Sequence, residues 1–230
     1  MIPFELSIII PVLNEEENIE TLINLLHERS YGISAEIIVV DGGSSDRTIE
    51  IALSKNAIVI SSSKGRPIQM NKGAERATGK ILWFLHADSI PPVHYDKFIL
   101  GAVQSGYLSG CFRMQFQTSN FLLRFFGWLT RFNSKYCRGG DQSLFVTADV
   151  FDKAGKYNEQ YLIFEDNEIL PRIKKLTKFK VIQHTLFTSI RRYRDNGIYR
   201  LQYRFMRLHT MYRRGATIDE LLVYYKKHVK

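Results

Sequence analysis

The sequence predicts an α/β fold, a mostly parallel central sheet flanked by helices with a C-terminal helical extension. Residues 1–90 alternate short apolar runs with amphipathic stretches. Two of those runs, Ser-Ile-Ile-Ile-Pro ending at Pro11 and Glu-Ile-Ile-Val-Val-Asp ending at Asp41, are continuously apolar at their centres. Strands of a parallel sheet covered on both faces read this way.

In chain order, the predicted strands are Leu6–Pro11, Glu36–Asp41, Ala57–Ser61 and Lys80–His86. The predicted helices between them are Glu16–Arg29, Asp46–Lys55 and Arg66–Thr78. The first helix places Ile19, Leu22, Ile23, Leu25 and Leu26 at helical spacing, and the third places Ile68 and Met70 before Ala74 and Ala77. Right-handed crossovers wind such units into an open sheet whose ligands collect beyond the carboxyl ends of the strands. After residue 90 the pattern is mixed. Ser109–Phe116 and Ser143–Thr147 read as strands, and Asn120–Phe132, Glu165–Lys175 and Gly197–Arg213 as helices. No repeat, low-complexity segment or linker divides the chain, so one domain with a C-terminal extension is expected.

The 230 residues are 45% hydrophobic, enough for one sizeable core. Lysine and arginine outnumber aspartate and glutamate 32 to 23, a net +9 that favours anionic partners without choosing among nucleotide, nucleic acid and acidic lipid. Two cysteines, Cys111 and Cys137, make no disulfide framework and lack zinc-site spacing, which fits a reducing cytoplasm. The N-terminal apolar run contains Glu5 and has no basic segment before it, so it reads as a strand rather than a leader. No apolar run reaches the about 18 residues of a membrane span.

The chemistry-bearing residues stand at the strand ends. The first strand ends in Pro11-Val12-Leu13-Asn14-Glu15-Glu16 and the second in Asp41-Gly42-Gly43-Ser44-Ser45-Asp46. Asp41 can accept from a base imide or a ribose hydroxyl, and the glycines permit close backbone approach; alone, the segment also reads as a capped turn. Lys64-Gly65-Arg66, followed by Gln69 and Asn71, puts cationic and amide groups at a helix start suited to phosphate, although Lys64 and Arg66 also read as solvated charges. The Walker spacing is absent. The fourth strand runs into His86-Ala87-Asp88, and Asp88 is placed either for Mg²⁺ or Mn²⁺ or to cap a turn.

Ile-Ile-Ile-Pro-Val-Leu-Asn-Glu-Glu, Val-Val-Asp-Gly-Gly-Ser-Ser-Asp-Arg-Thr and Leu-His-Ala-Asp-Ser, in that order, resemble the family 2 glycosyltransferases. The likeness continues through Gly140-Asp141-Gln142-Ser143-Leu144-Phe145-Val146, Phe164-Glu165-Asp166-Asn167-Glu168 and Thr188-Ser189-Ile190-Arg191-Arg192-Tyr193, which resemble a small bacterial branch of that family. The resemblance implies a GT-A fold. A nucleotide-binding half over about 1–90 would join an acceptor-binding half over 91–195, followed by a helical extension over 196–230. It also implies inverting transfer from a UDP- or GDP-linked sugar. Pro11, Asn14, Glu15, Asp41, Lys64, Arg66, Asn71, Asp88, Arg191 and Arg192 would then bind the donor. Gly140, Asp141 and Gln142 would bind the acceptor, Asp88 the metal, and Asp166, beside Glu165, would be the general base. The family's metal motif usually has two acids; here His86 replaces the first, and Gly42 stands where many relatives have a second aspartate, which puts strict metal dependence in question.

Without the resemblance Asp166 reads as a helix cap, and the Arg191–Arg194 cluster as a surface strip. Phe121–Phe132, rich in aromatics with two arginines, reads either as a core helix beside the acceptor cleft or as an interfacial helix suited to peripheral membrane contact, at the inner face of the membrane, and to a lipid-linked acceptor. The C-terminal Tyr224–Lys230 reads as a frayed helix end. A nucleotidyltransferase would carry a glycine-rich basic loop where Leu13-Asn14-Glu15-Glu16 stands. A nucleic-acid-binding module would fit the charge but has no recognisable motif here, so no nucleic acid is expected as a partner.

Overall fold

The computed structural model describes residues 5–134, 137 and 142–229. β1 (Leu6–Val12), β2 (Ala35–Asp41), β3 (Ile58–Ser61) and β4 (Ile81–Phe84) are parallel, joined through α1 (Ile19–Arg29), α2 (Thr48–Ser54) and α3 (Arg66–Arg76). The chain then adds β5 (Ser89–Ile90), α4 (Tyr95–Gln104), β6 (Ser109–Phe116), α5 (Phe121–Leu129), β7 (Leu144–Thr147) and α6 (Ala148–Lys153). It continues with α7 (Glu165–Leu176), β8 (Phe179–Thr188), α8 (Arg191–Asn196), α9 (Ile198–Arg213) and α10 (Ile218–His228).

Among the described residues, eight strands form one sheet in the order β3-β2-β1-β4-β7-β6-β8-β5. The sheet is parallel through its first four strands and mixed beyond, because β7 runs antiparallel to β4 and β6, β8 runs parallel to β6, and β5 runs antiparallel to β8. Strand order reverses between β1 and β4, which opens a crevice at their carboxyl ends.

Alternate residues of β1 supply both faces. Ile8 and Ile10 pack with Ile19, Leu22, Ile23 and Leu26 of α1 and with Trp83. Ile9 packs with Val40, Met70 of α3 and Ile169 and Ile173 of α7. Gly73 explains how closely α3 lies on the sheet, since a Cβ there would stand 2.4 Å from Ile9 Cγ2 and 2.9 Å from Val40 Cγ2. A third cluster joins Met114 and Phe116 of β6 to Leu123 of α5, Tyr193 of α8, Leu201 and Leu208 of α9 and Leu221 of α10.

Three features differ from the sequence expectation. β5, α4, α6 and β8 go unread in the sequence; Asp96 anchors α4 by accepting from Ser30 Oγ and from the Tyr31 and Ile33 amides. The C-terminal segment is no frayed end: α10 opens on a capping box between Thr217 and Glu220, and Val229 beyond it is buried. The basic cluster is a short helix, α8, with Tyr193 in the core rather than on a surface strip.

Candidate active site

The carboxyl ends of the parallel strands are knit to one another by short polar bonds. Asn14, in the left-handed region at φ 55°, accepts at Oδ1 from the Ser45 amide at 2.9 Å, and its own amide donates to Ser44 Oγ. The Glu15 amide donates to Thr48 Oγ1 at 2.8 Å, and Glu16 and Asp46 or Arg47 exchange similar bonds. Asp41 is buried, and its carboxylate accepts from the Gly43 and Ser44 amides of its own turn. Gln69 of α3 closes the arrangement by donating to both Val12 O and Val40 O at 2.8 Å, against Gly42.

Pro11 is the penultimate residue of β1, and Lys64 is exposed on the loop before α3. Asn71 faces elsewhere. It is buried, its Nδ2 donates to Tyr157 O and Glu159 Oε1, and its Oδ1 accepts from the Tyr157 amide. Its amide is thus used in tying α3 to the segment before α7. Gly140 and Asp141 lie outside the described residues; Gln142 is buried and donates from Nε2 to Cys137 O at 2.6 Å.

On the other side of the crevice is a cavity of about 280 Å³ lined by Arg66, Gln142, Glu165, Asp166 and Arg192 among polar groups, with apolar walls that include Phe116, Phe126, Phe164 and Phe205. Glu165 is 3% exposed and paired with Arg66 Nη1 at 3.0 Å. Asp166 Oδ1 accepts from Tyr157 Oη at 3.2 Å. Burial first, and then the negative charge of Asp166, hold the Tyr157 hydroxyl well above the ordinary phenol range, so it remains a proton donor to that carboxylate. Tyr157 has no signal in the sequence that marks it as a site residue.

Phe164, immediately before this acidic pair, has φ 63°, an unusual conformation for a bulky side chain. Tyr212 stacks on its ring at 4.8 Å and His209 meets it edge-on at 4.8 Å, so α9 holds the entry into α7. Strain of this kind costs on the order of 1–3 kcal/mol and persists where neighbours over-determine the backbone.

α8 joins the two sides. Arg191 donates to Glu15 Oε1 at 3.0 Å; that bond first, and the charges of Glu15 and Asp88 after it, raise its pKa further. The next residue, Arg192, lines the Asp166 cavity. Adjacent arginines therefore reach the loop after β1, near Asp88, and the cavity at the start of α7. Asp41 and Asp88 are not part of the cavity wall.

The family model described as glycosyl transferase family 2 matches residues 7–151. Among similar proteins, glycosyltransferase AglE of Haloferax volcanii is 38% identical over 98 residues, covering 39% of this chain and 32% of AglE. Dolichol-phosphate mannosyltransferase of Pyrococcus furiosus is 32% identical over 108 residues, covering 44% of this chain and 31% of that protein. These alignments span about a third of the length of those relatives. The solved mannosyltransferase PcManGT from Pyrobaculum calidifontis, in complex with GDP-Man and Mn²⁺, is similar with a TM-score of 0.67 at 16% identity, over 90% of this chain and 63% of that one. TarS 1-349 of S. aureus, in complex with UDP-GlcNAc, gives a TM-score of 0.67 at 15% identity, over 81% and 58%. At such identity the likeness is one of fold, the GT-A arrangement of a curled mixed sheet between helices. Together with the match over most of its length, the sheet reversal and the loops ending β1, β2 and β4 make this chain a member of glycosyl transferase family 2.

Proposed function

We propose that the protein transfers a sugar, with inversion, from a nucleoside diphosphate sugar to an acceptor hydroxyl, with Asp166 as general base. The observation that carries this reading is Asp166 at the wall of the cavity, with its carboxylate oriented by the Tyr157 hydroxyl. Asp166 takes the acceptor proton while the acceptor oxygen attacks the anomeric carbon opposite the departing diphosphate, so no covalent enzyme intermediate is needed. A positioned base of this kind contributes about 10²- to 10⁴-fold. Solved relatives of the same fold carry UDP-GlcNAc, or GDP-Man with Mn²⁺, which supports a UDP- or GDP-type donor.

Among the described residues no three His, Cys, Asp or Glu side chains gather into a cation cage. Mg²⁺ or Mn²⁺ does not need one, because such hard ions keep waters and use one or two carboxylates together with substrate phosphates. Asp88, whose charge acts on Arg191, fits as that carboxylate. When bound there, the ion would neutralise charge on the diphosphate. Arg191, released from its pair with Glu15, would add a second cation to it, and that change of partner would couple α8 to donor binding.

A thermal-shift screen of UDP- and GDP-linked sugars, with and without Mn²⁺, tests the reading. One donor class is expected to raise Tm, with an added increment from Mn²⁺ that disappears in Asp88→Ala. No stabilisation by any nucleotide sugar would refute it.

A further inference from the structure

We infer that the outer face of α5 is a docking surface for an anionic lipid bilayer. The rotation of this helix is fixed by its inner face. Leu123 is fully buried, a Cβ on Gly127 would stand 2.4 Å from Gln115 Oε1, and the Thr130 hydroxyl accepts from the Met114 amide at 2.8 Å. What faces outward is a stripe of aromatic rings: Phe121 is 82%, Phe125 45% and Trp128 44% exposed, and Phe132 continues the row. The rings lie against one another, with 6.2 Å between Phe125 and Trp128 and 5.2 Å between Trp128 and Phe132. A groove of about 860 Å³ runs beside them, between α5 and the neighbouring strands.

The charge around the stripe chooses the occupant. From Lys97 to Gly140 the sequence contains no aspartate or glutamate, and from Ile169 to Arg194 again none. β6, α5 and β8 therefore bring no carboxylate to this face. Arg113, Arg124 and Arg131 border the groove, and the Arg131 guanidinium lies 5.0 Å from the Trp128 ring centroid. Aromatic rings ringed by arginines suit the boundary between anionic headgroups and acyl chains. A second copy docking through the same face would set arginines against arginines. Among the described residues no helix is long and apolar enough to cross a membrane, so the contact is in the plane of the surface.

The opposite side of α5 contributes Phe126 and Leu129 to the Asp166 cavity. Docking would hold that cavity beside the bilayer, where an acceptor alcohol with an apolar anchor could enter it. This last consequence rests on the proposed function, whereas the docking does not.

The test is flotation of the full chain with vesicles of phosphatidylcholine, alone or with about 25% phosphatidylglycerol, in the absence of nucleotide sugar. The chain is expected to float with the anionic vesicles only, and its tryptophan emission to shift to the blue. Trp83 is fully buried and stacked on Tyr95, so that shift reports Trp128. Phe125→Ser with Trp128→Ser should lower partitioning by about ten-fold or more, Arg124→Glu should also lower it on anionic vesicles, and neither should change the melting temperature or donor affinity. No retention on anionic vesicles would overturn the inference, as would retention unchanged by the double replacement. A dimer seen in sedimentation and lost in Phe125→Ser with Trp128→Ser would assign the face to a second copy instead. Because vesicle binding is measured without donor, its failure is distinct from failure of the proposed reaction.

Discussion

The loops ending β1 and β2 are held by polar bonds between neighbouring strand ends, whereas the Asp166 cavity is walled by aromatic side chains from helices far apart in sequence. Asn14, Glu15 and Glu16 meet Ser45, Thr48 and Asp46 across two adjacent turns. Phe164 and Asp166, by contrast, are positioned by Tyr157, His209 and Tyr212. Directional bonds between backbone and side chain hold a fixed geometry, which suits the diphosphate common to the proposed UDP- or GDP-linked donors. Apolar walls accept changes of shape at lower cost, which suits the acceptor proposed to enter there.

Breaking each side separately should have separable consequences. Asp166→Asn has the largest expected effect, a loss of transfer of about 10²- to 10⁴-fold with the fold intact, read by steady-state kinetics with a suitable acceptor. Next is Gly73→Ala, where α3 packs on β1 and β2. The added Cβ forces Ile9 and Val40 apart, and overpacking of about 1–3 kcal/mol outweighs the roughly 1 kcal/mol that alanine adds to helix propensity. Denaturant unfolding should show a net loss near 1 kcal/mol; a gain would mean the sheet yields easily there.

Arg191→Ala removes the cation that now pairs with Glu15 and should weaken nucleotide-sugar binding by about ten-fold in calorimetry. Unchanged affinity would return Arg191 to a purely structural pairing with the β1 loop.

The smallest effect concerns His209 on the cavity side. Burial first, and Arg213 second, depress its pKa below the ordinary 6.5. The unfolded chain therefore binds the proton more readily, so stability is full above about 6.5 and falls as the pH drops from there through the lower folded value. In His209→Gln, melting curves between those limits should lose part of their pH dependence while the rest of the profile stays.

The same contrast governs what the sequence discloses. β1, β2, β4 and α1 to α3 are legible because burial writes continuous apolar runs and helical spacing, and because the strand ends carry Asn14, Asp41 and Asp88 in recognisable order, whereas β3, at the sheet edge, is legible from its short apolar run alone. β8 is not legible. Its register against β6 shifts between Phe112 and Arg113, leaving Gln183 and His184 as extra residues, and the alternation of buried and exposed positions breaks there. The acidic pair Glu165-Asp166 is legible as a motif that opens on Phe164, but the left-handed backbone of Phe164 and the part played by Tyr157 are not, since a buried tyrosine and a strained phenylalanine look like ordinary core residues until their neighbours are known. Asn71 shows the reverse: a polar residue at a suggestive helix start whose amide is committed to the Tyr157 backbone.

In the proposed mechanism one side of the crevice holds the donor, and Asp166 on the other side acts only in the reaction. Calorimetric titration of the donor found by screening, in Mn²⁺, into the native chain, Asp88→Ala and Asp166→Asn tests it most directly. Affinity within about two-fold of native is expected for Asp166→Asn, as for a group that acts mainly in the transition state, and a loss of ten-fold or more for Asp88→Ala. Equal weakening in both variants, or weakening in Asp166→Asn alone, would contradict it.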